Sequence, residues 1–289
     1  MKNNQVERYG IAALVIGSIL GTFFFSRPRK GAFRTTLADE QQEELDRNLT
    51  TPANATFGVV WPVVYTGTIG LAIHQALPSQ QNNLRYAKAR PWLAVNYVLN
   101  ALFGYFFSRQ DVRSRVGAGL TTVSMLPASL ALHQQLEIGK TEVPEPENTL
   151  RKSISLYAGW LTAATVVSGA NLLQQAGFLV PKAVARRLAY AVLSGTGGLG
   201  LIVSKRLNDP YYLTTLIAAF VGIAAKQRGK NDGVAALAAA WALVLTAVFT
   251  ERLRARQNAL PVSKTVEAVT NEADKSPVLT EAEPVSEPE

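Results

Sequence analysis

Eight long runs of apolar residues, each without Asp, Glu, Lys or Arg, alternate with short polar segments along the chain. They cover residues 9–26, 57–77, 91–108, 116–136, 153–179, 188–204, 211–225 and 233–250. An ionised side chain at the centre of a bilayer costs about 2.5–3.5 kcal/mol, whereas a helix on the surface of a soluble protein carries charges on its outer face. The pattern therefore predicts membrane-spanning helices.

The length of these runs fits the same interpretation. Seven of them have 17 to 27 residues, enough to cross a hydrocarbon core of about 30 Å at 1.5 Å per residue. The run 211–225 has only 15 residues and is the marginal one. The third helix is expected to begin at Pro91, and residues 137–152 are expected to form an irregular loop. We predict an all-α, polytopic transmembrane bundle of about eight spans.

Charge and composition exclude some kinds of site and indicate the partner of the basic residues. The chain carries a net charge of +8 and no cysteine, so disulfides and cysteine metal sites are excluded. The basic residues adjoin the helix ends, where lipid headgroups are the expected partner rather than nucleic acid. Residues 37–47 predict a surface helix or loop. Residues 257–289 are rich in Pro, Ser, Glu and Val without periodicity, which predicts a disordered acidic tail.

Two glycine patterns predict close helix packing. Gly17 and Gly21 form a GxxxG in the first run, which fits packing within the bundle or dimerisation of this helix in a homo-oligomer; the first is favoured. Gly195, Gly197, Gly198 and Gly200 in the sixth run favour close packing or a kink over a phosphate cradle, because no strand precedes them.

Polar side chains within the runs offer few candidates for chemistry. His74 and His133 are the only histidines. They could meet and ligate a haem iron or a metal, but interfacial histidines at headgroup level are favoured, and no metal site is predicted. Asn96, Asn100 and Asn171 are expected to bond neighbouring helices at least as often as a ligand. No nucleophile–base set is apparent, so nothing argues for an enzyme.

Three aromatic motifs follow one another in the second, third and fifth runs. The first lies in residues 51–67 (TPANATFGVVWPVVYTG), where three rings at a spacing of four share one helical face. The motif residues are Phe57, Trp61 and Tyr65 in the second run, Asn100, Phe103, Phe106 and Phe107 in the third, and Tyr157, Trp160, Ala163 and Ala164 in the fifth. Together they resemble the TspO/translocator family of tryptophan-rich sensory proteins, over about residues 9–175.

This resemblance implies an organisation and a site. It implies a five-helix membrane domain at 1–179; the last three runs then form an additional membrane region at 180–256, ahead of the tail at 257–289. It also implies a cavity among five helices that binds a planar apolar ligand such as a porphyrin or haem. The candidate ligand-binding residues are Trp61, Tyr65, Asn100, Phe103, Tyr157, Trp160 and Ala164. The alternative is that these side chains only pack the bundle.

The chain departs from the family at two motif positions and at the end of the fifth run. Phe103 stands where the family often has Trp, and Ser168 where it usually has Asn. Residues 172–187 contain no Tyr, so the sterol motif of the animal branch is absent.

We therefore expect a multi-pass membrane protein whose partners are the lipid bilayer and a small apolar ligand such as a tetrapyrrole, in a sensory, regulatory or transport-linked role. The alternative function is a transporter or channel for a neutral small molecule, since no Asp, Glu, Lys or Arg lies within a run to couple ions.

Overall fold

The computed structural model of the protein describes residues 2–25, 48–109, 111–175 and 181–259. These ranges contain eight α-helices, one short 3-10 helix at Pro78–Gln80, and no strand. The α-helices are α1 (Lys2–Phe25), α2 (Asn54–Ala76), α3 (Leu84–Phe107), α4 (Val112–Gln135), α5 (Glu147–Gln175), α6 (Lys182–Leu207), α7 (Tyr212–Gln227) and α8 (Asp232–Ala259). The predicted all-α fold class is confirmed.

Six of these helices, α1, α2, α4, α5, α6 and α8, are long and apolar enough to cross a membrane. Helix α7 has 16 residues and corresponds to the run that the sequence marked as marginal. Helix α3 has 24 residues, but it is less apolar because Arg85, Lys88 and Arg90 occupy its first two turns.

The prediction that the third helix begins at Pro91 is wrong. Helix α3 begins at Leu84, because the side chain of Asn83 caps it by accepting hydrogen bonds from the backbone N–H groups of Arg85 and Tyr86. Pro91 therefore lies inside the helix. Hydropathy marks where the apolar run begins, whereas a capping side chain can start the helix earlier, in polar surroundings.

The predicted loop 137–152 and the predicted tail are both shorter than expected where the structure describes them. Helix α5 begins at Glu147 and helix α8 continues to Ala259. The rest of the predicted tail, residues 260–289, and the segment 37–47 lie outside the described residues.

The helices alternate in direction, which gives the bundle two ends. The first end holds the start of α1, the turn between α2 and α3, and the connections α4–α5 and α6–α7. Contacts join these parts: Arg8 Nη1 donates to the carbonyl of Leu77 at 2.8 Å, and Asn208 Nδ2 donates to the carbonyl of Gly139 at 2.9 Å. The second end holds the end of α1, the start of α2, and the connections α3–α4, α5–α6 and α7–α8.

Charged side chains tie the helix ends together at the first end. Arg85 pairs with the buried Glu147, with 3.1 Å between Nε and Oε1. Arg151 donates to the carbonyls of Leu136 and Thr141 at 2.7 and 2.8 Å. Buried charges need such partners, so these contacts fix the turns of the first end relative to one another.

The two histidines each bond a different partner at the first end. His74 Nδ1 lies 2.7 Å from the hydroxyl of Tyr86, and His133 Nε2 lies 2.8 Å from Oδ2 of Asp209. His133 and Asp209 are 1% and 0% exposed, so His133 packs against protein at the end of α4; its position at headgroup level stays a prediction. The pair links the end of α4 to the turn between α6 and α7.

The two glycine patterns differ in how closely neighbouring helices approach them. A Cβ on Gly197 would lie 2.3 Å from the ring of Trp241, and one on Gly200 would lie 2.7 Å from Leu216, so the predicted close packing is confirmed at these two positions. A Cβ on Gly17 or Gly21 would meet no described atom within 4 Å. The expected packing of that GxxxG inside the bundle is therefore absent from the described part of the chain.

Introduced cysteines test whether α3 and α7 cross the membrane, because the chain has no cysteine of its own. Cysteines at the exposed positions Ser79 and Glu142 are expected to react with an impermeant maleimide from one side of sealed vesicles, and a cysteine at the exposed Lys230 from the other side. Labelling of Lys230 and Glu142 from the same side would show that α7 does not cross. Labelling of Ser79 and Glu142 from opposite sides would show that α3 does not.

Candidate functional site

A cavity of about 880 Å³ lies at the second end of the bundle. Its walls come from α1, α2, α3, α4, α5 and α7, together with residues 48–54 just before and at the start of α2. This volume falls within the range of about 300–1,000 Å³ that is typical of small-molecule sites.

All seven candidate ligand-binding residues line this one cavity. Trp61 and Tyr65 come from α2, Asn100 and Phe103 from α3, and Tyr157, Trp160 and Ala164 from α5. The spacing of four between Phe57, Trp61 and Tyr65 places these rings on one side of α2, and all three face the cavity. The structure brings the set together; that these residues bind a ligand stays a prediction.

The rings form a connected cluster rather than isolated contacts. The Trp61 and Tyr65 rings stack with centroids 4.9 Å apart and an interplanar angle of 23°. Trp160 meets Trp61 edge to face at 5.9 Å and Phe57 at 5.2 Å. Such arrangements stabilise aromatic pairs by roughly 0.5–1.5 kcal/mol each, so the cluster holds its ring faces in defined orientations.

Tyr157 lines the cavity, and the ring of Tyr97 packs against it. Both side chains are fully buried, and their rings stack with centroids 6.3 Å apart. The hydroxyl of Tyr157 donates to Sδ of Met125 at 3.1 Å. Beyond Tyr97, towards the first end, lies the core cluster of α1 to α5 that includes Leu71, Leu93 and Leu132.

Amide side chains supply the polar contacts among the apolar walls. Asn100 Nδ2 donates to the hydroxyl of Tyr65 at 3.5 Å, and Asn100 Oδ1 accepts from Thr22 at 3.3 Å. Asn171 accepts from Asn48 at 2.9 Å. These two amides bond neighbouring elements, as the sequence predicted. Asn96 instead donates to the carbonyl of Trp92 in its own helix, so that expectation is wrong for Asn96.

Helix α7 forms a wall that the sequence did not indicate. Ala219 and Ile223 line the cavity, although α7 lies outside the predicted five-helix unit. Two glycines permit this contact. A Cβ on Gly159 of α5 would lie 2.1 Å from the carbonyl oxygen of Tyr212, and a Cβ on Gly222 of α7 would lie 2.1 Å from Oγ1 of Thr56.

Hydrogen bonds hold α7 in this position. Thr215 Oγ1 donates to the carbonyl of Leu156 at 2.7 Å, and the hydroxyls of Thr162 and Tyr212 bond each other. At the second end, the backbone N–H of Ala53 donates to the carbonyl of Gly222 at 3.1 Å. In the sequence, only the two glycines indicate this close packing, and they do not indicate which helices pack together.

Two arginines also line the cavity and were not singled out from the sequence. Arg109 follows the end of α3, and Arg115 lies in the first turn of α4. Between them, Asp111 caps α4 by accepting from the backbone N–H and the hydroxyl of Ser114 at 3.0 and 2.7 Å. These hydrogen bonds hold the pKa of the Asp111 carboxyl below its ordinary value.

The lining suits an organic ring system better than a histidine-ligated iron. No histidine is among the described residues that line the cavity; His74 and His133 lie at the opposite end of the bundle. The described ranges also contain no group of three or more His, Asp or Glu side chains that could hold a metal ion. A macrocycle would meet ring faces and amides here.

The family model described as "TSPO-like protein" matches residues 12–250. The chain belongs to the TSPO-like protein family. No curated protein matches the chain, and no solved structure does.

The family match extends from α1 into α8 and so includes the three helices beyond the predicted five-helix unit. Together with six helices that can cross a membrane, it makes this TSPO-like protein an integral, multi-pass membrane protein. The described residues from Lys2 to Phe249 form one compact unit. The division into membrane regions at residue 179 stays a prediction.

Proposed function

We propose that this TSPO-like protein binds a planar, mostly apolar molecule such as a tetrapyrrole in the cavity at the second end, in a sensory, regulatory or transport-linked role. The observation that carries the proposal is the convergence of Trp61, Tyr65 and Trp160, on two different helices, around one cavity of about 880 Å³. The family membership supports it.

The chemistry of the lining favours a flat ligand. Ring faces attract other π systems and also bury apolar area. Asn100 and Tyr65 add hydrogen-bonding groups that can orient a bound molecule. Because the walls are helices packed against one another, the rings need little reorganisation when a ligand enters, which lowers the cost of binding.

Tryptophan substitutions test the proposal. Trp61→Leu and Trp160→Leu each remove an indole from the cavity wall, and each is expected to weaken protoporphyrin binding about tenfold or more, because stacking and buried area together exceed about 1.4 kcal/mol. The measurement is titration of the detergent-purified protein, followed by porphyrin absorbance and fluorescence.

Trp92→Leu is the matched control, because Trp92 is 39% exposed and lies outside the cavity lining. All variants must keep the wild-type melting temperature, so that a loss of affinity does not report unfolding. Equal affinity in all three variants and the wild type would show that Trp61 and Trp160 only pack the bundle and do not bind the ligand. If the wild type binds no porphyrin, passage of a neutral small molecule becomes the leading function.

A further inference from the structure

Exposed charges are distributed unequally between the two ends of the bundle. Among the side chains that the structure describes up to Phe249, the first end exposes four basic and three acidic ones. The second end exposes two acidic side chains, Asp111 and Asp232, and six basic ones: Arg109, Arg113, Arg186, Arg187, Arg228 and Lys230. Residues 26–47, which connect α1 to α2 outside the described ranges, carry five basic and five acidic residues, so they do not alter this excess.

Four of these basic side chains lie around one junction, where the first turns of α6 meet the start of α8. They are Arg186 and Arg187 on α6, and Arg228 and Lys230 in the turn between α7 and α8. The two helices pack closely there, because a Cβ on Gly233 of α8 would collide with the hydroxyl of Tyr190 of α6. We call these four side chains the basic surface of α6–α8.

The turn between α7 and α8 is fixed by its own hydrogen bonds. Gln227 is buried, and its carbonyl accepts from the backbone N–H of Lys230 at 2.9 Å. Asp232 Oδ1 accepts from the backbone N–H of Gly229 at 2.8 Å, and Gly229 has a φ of 73°, which favours glycine. Arg228 and Lys230 therefore project from a defined backbone, and the carboxylate of Asp232 is engaged within the turn.

Apolar side chains border this surface on α6. The part of α6 that is long and apolar enough to cross a membrane begins at Val184, so Arg186 and Arg187 lie in its first turn. Val184 and Leu188, on either side of them, are 42% and 46% exposed, as lipid-facing side chains are. An arginine at the end of a span extends its guanidinium to the headgroups while its stem contacts the acyl chains.

The length of α7 brings the other two cations to the same level. Helix α7 has 16 residues, which corresponds to about 24 Å at 1.5 Å per residue. This is less than the thickness of about 30 Å of a hydrocarbon core, so the ends of α7 stay within the headgroup region. Arg228 and Lys230 follow its last residue, Gln227, and lie beside the lipid phosphates.

We propose that the basic surface of α6–α8 binds the phosphate headgroups of anionic membrane lipids. Arginine and lysine donate charge-assisted hydrogen bonds to phosphate oxygens, and basic residues near an anionic membrane surface each add to the attraction. A water-soluble acidic protein would need cations that stand clear of the bilayer, whereas lipid-facing side chains border these. This surface is separate from the aromatic cavity, and the proposal does not depend on the ligand of that cavity.

A fluorescent label on α6 tests the proposal locally. The chain has no cysteine, so Leu188→Cys in the full-length protein gives a single lipid-facing attachment site beside the surface. The protein is reconstituted into phosphatidylcholine vesicles with a spin-labelled quencher lipid, which is either phosphatidylglycerol or phosphatidylcholine with the same labelled acyl chain. The quantity measured is the ratio of the two quenching efficiencies. We expect phosphatidylglycerol to quench more strongly, and high salt to remove the excess.

Paired substitutions identify the side chains responsible. The first pair is Arg186→Gln with Arg187→Gln, and the second is Arg228→Gln with Lys230→Gln. Each pair is expected to lower the ratio about threefold or more, because it removes two charges from the headgroup region. Lys205→Gln with Arg206→Gln is the matched control: both side chains are exposed at the opposite end of α6, and their loss should leave the ratio as in the wild type. All variants should keep the melting temperature.

Three results would overturn the proposal. The first is a ratio of one while all four basic side chains are present. The second is a ratio that neither pair lowers, or that the control pair lowers equally, because net charge rather than this surface would then attract the lipid. The third is loss of the excess quenching on addition of glycerol phosphate, which has the headgroup chemistry without acyl chains; the surface would then bind a soluble phosphate. None of these results bears on porphyrin binding.

Discussion

Replacing Gly159 with alanine is expected to lower the melting temperature by roughly 3–10 °C, because overpacking costs about 1–3 kcal/mol. The new methyl group would lie 2.1 Å from the backbone carbonyl oxygen of Tyr212 and 2.6 Å from Oγ1 of Thr215. Backbone atoms cannot rotate away as a side chain can, so α7 must move. Gly159→Leu is expected to separate α7 from α5.

Gly159→Leu is also expected to weaken ligand binding, because the cavity would lose the wall that α7 forms. Ala219 and Ile223 reach the cavity only while α7 stays against α5. Gly169→Leu on the same helix is the control, since a Cβ there meets no described atom within 4 Å. Thermal unfolding in detergent and porphyrin titration measure both effects. Wild-type stability and affinity in Gly159→Leu would show that α7 is not needed for the site.

Replacing His133 with leucine is expected to cost about 3 kcal/mol of stability or more, because the buried carboxyl group of Asp209 loses a hydrogen-bond partner and an unsatisfied buried polar group carries its full desolvation cost. Asp209 would stay at 0% exposure without its partner at 2.8 Å. Among the described residues, Asp209 would retain only the backbone N–H of Tyr211 as a donor to its side chain, at 3.0 Å. The link between the end of α4 and the start of α7 would be lost, and α7 would be less firmly placed.

His74→Leu provides the matched comparison. His74 also makes a side-chain hydrogen bond, to the hydroxyl of Tyr86 at 2.7 Å, but it is only half-buried and its partner is neutral. Loss of such a bond costs about 1 kcal/mol. The unfolding midpoint in denaturant should therefore shift several times more for His133→Leu than for His74→Leu. Equal shifts would show that the pair with Asp209 contributes no more to stability than the hydrogen bond of His74.

Much of the candidate site could be predicted from local spacing. Residues four apart on a helix share a face, so Trp61 and Tyr65 had to lie together wherever α2 was placed. Their meeting with Tyr157 and Trp160 followed from resemblance to a family. Arg109 and Arg115 could not be predicted as cavity residues in this way, because contact with lipid headgroups already explains a basic residue beside a helix end.

The limits of each helix followed only partly from hydropathy. The apolar run that begins at Pro91 was visible, but the cap at Asn83 starts α3 at Leu84. Likewise α5 begins at Glu147, where the carboxylate bonds Arg85 of another turn. Polar turns of helix are stabilised by partners that lie far away in the sequence, and those partners are known only once the bundle is assembled.

The sequence by itself determined the number and class of the helices and the aromatic faces of α2, α3 and α5, because lipid excludes charge and helical periodicity is local. Only the tertiary structure decided that α7 forms a wall of the cavity and that His133 meets Asp209, 76 residues later. The physical reason is that helix pairing depends on the fit of small residues such as Gly159 and Gly222 against a particular neighbour. A glycine permits close approach, but it does not specify which backbone approaches.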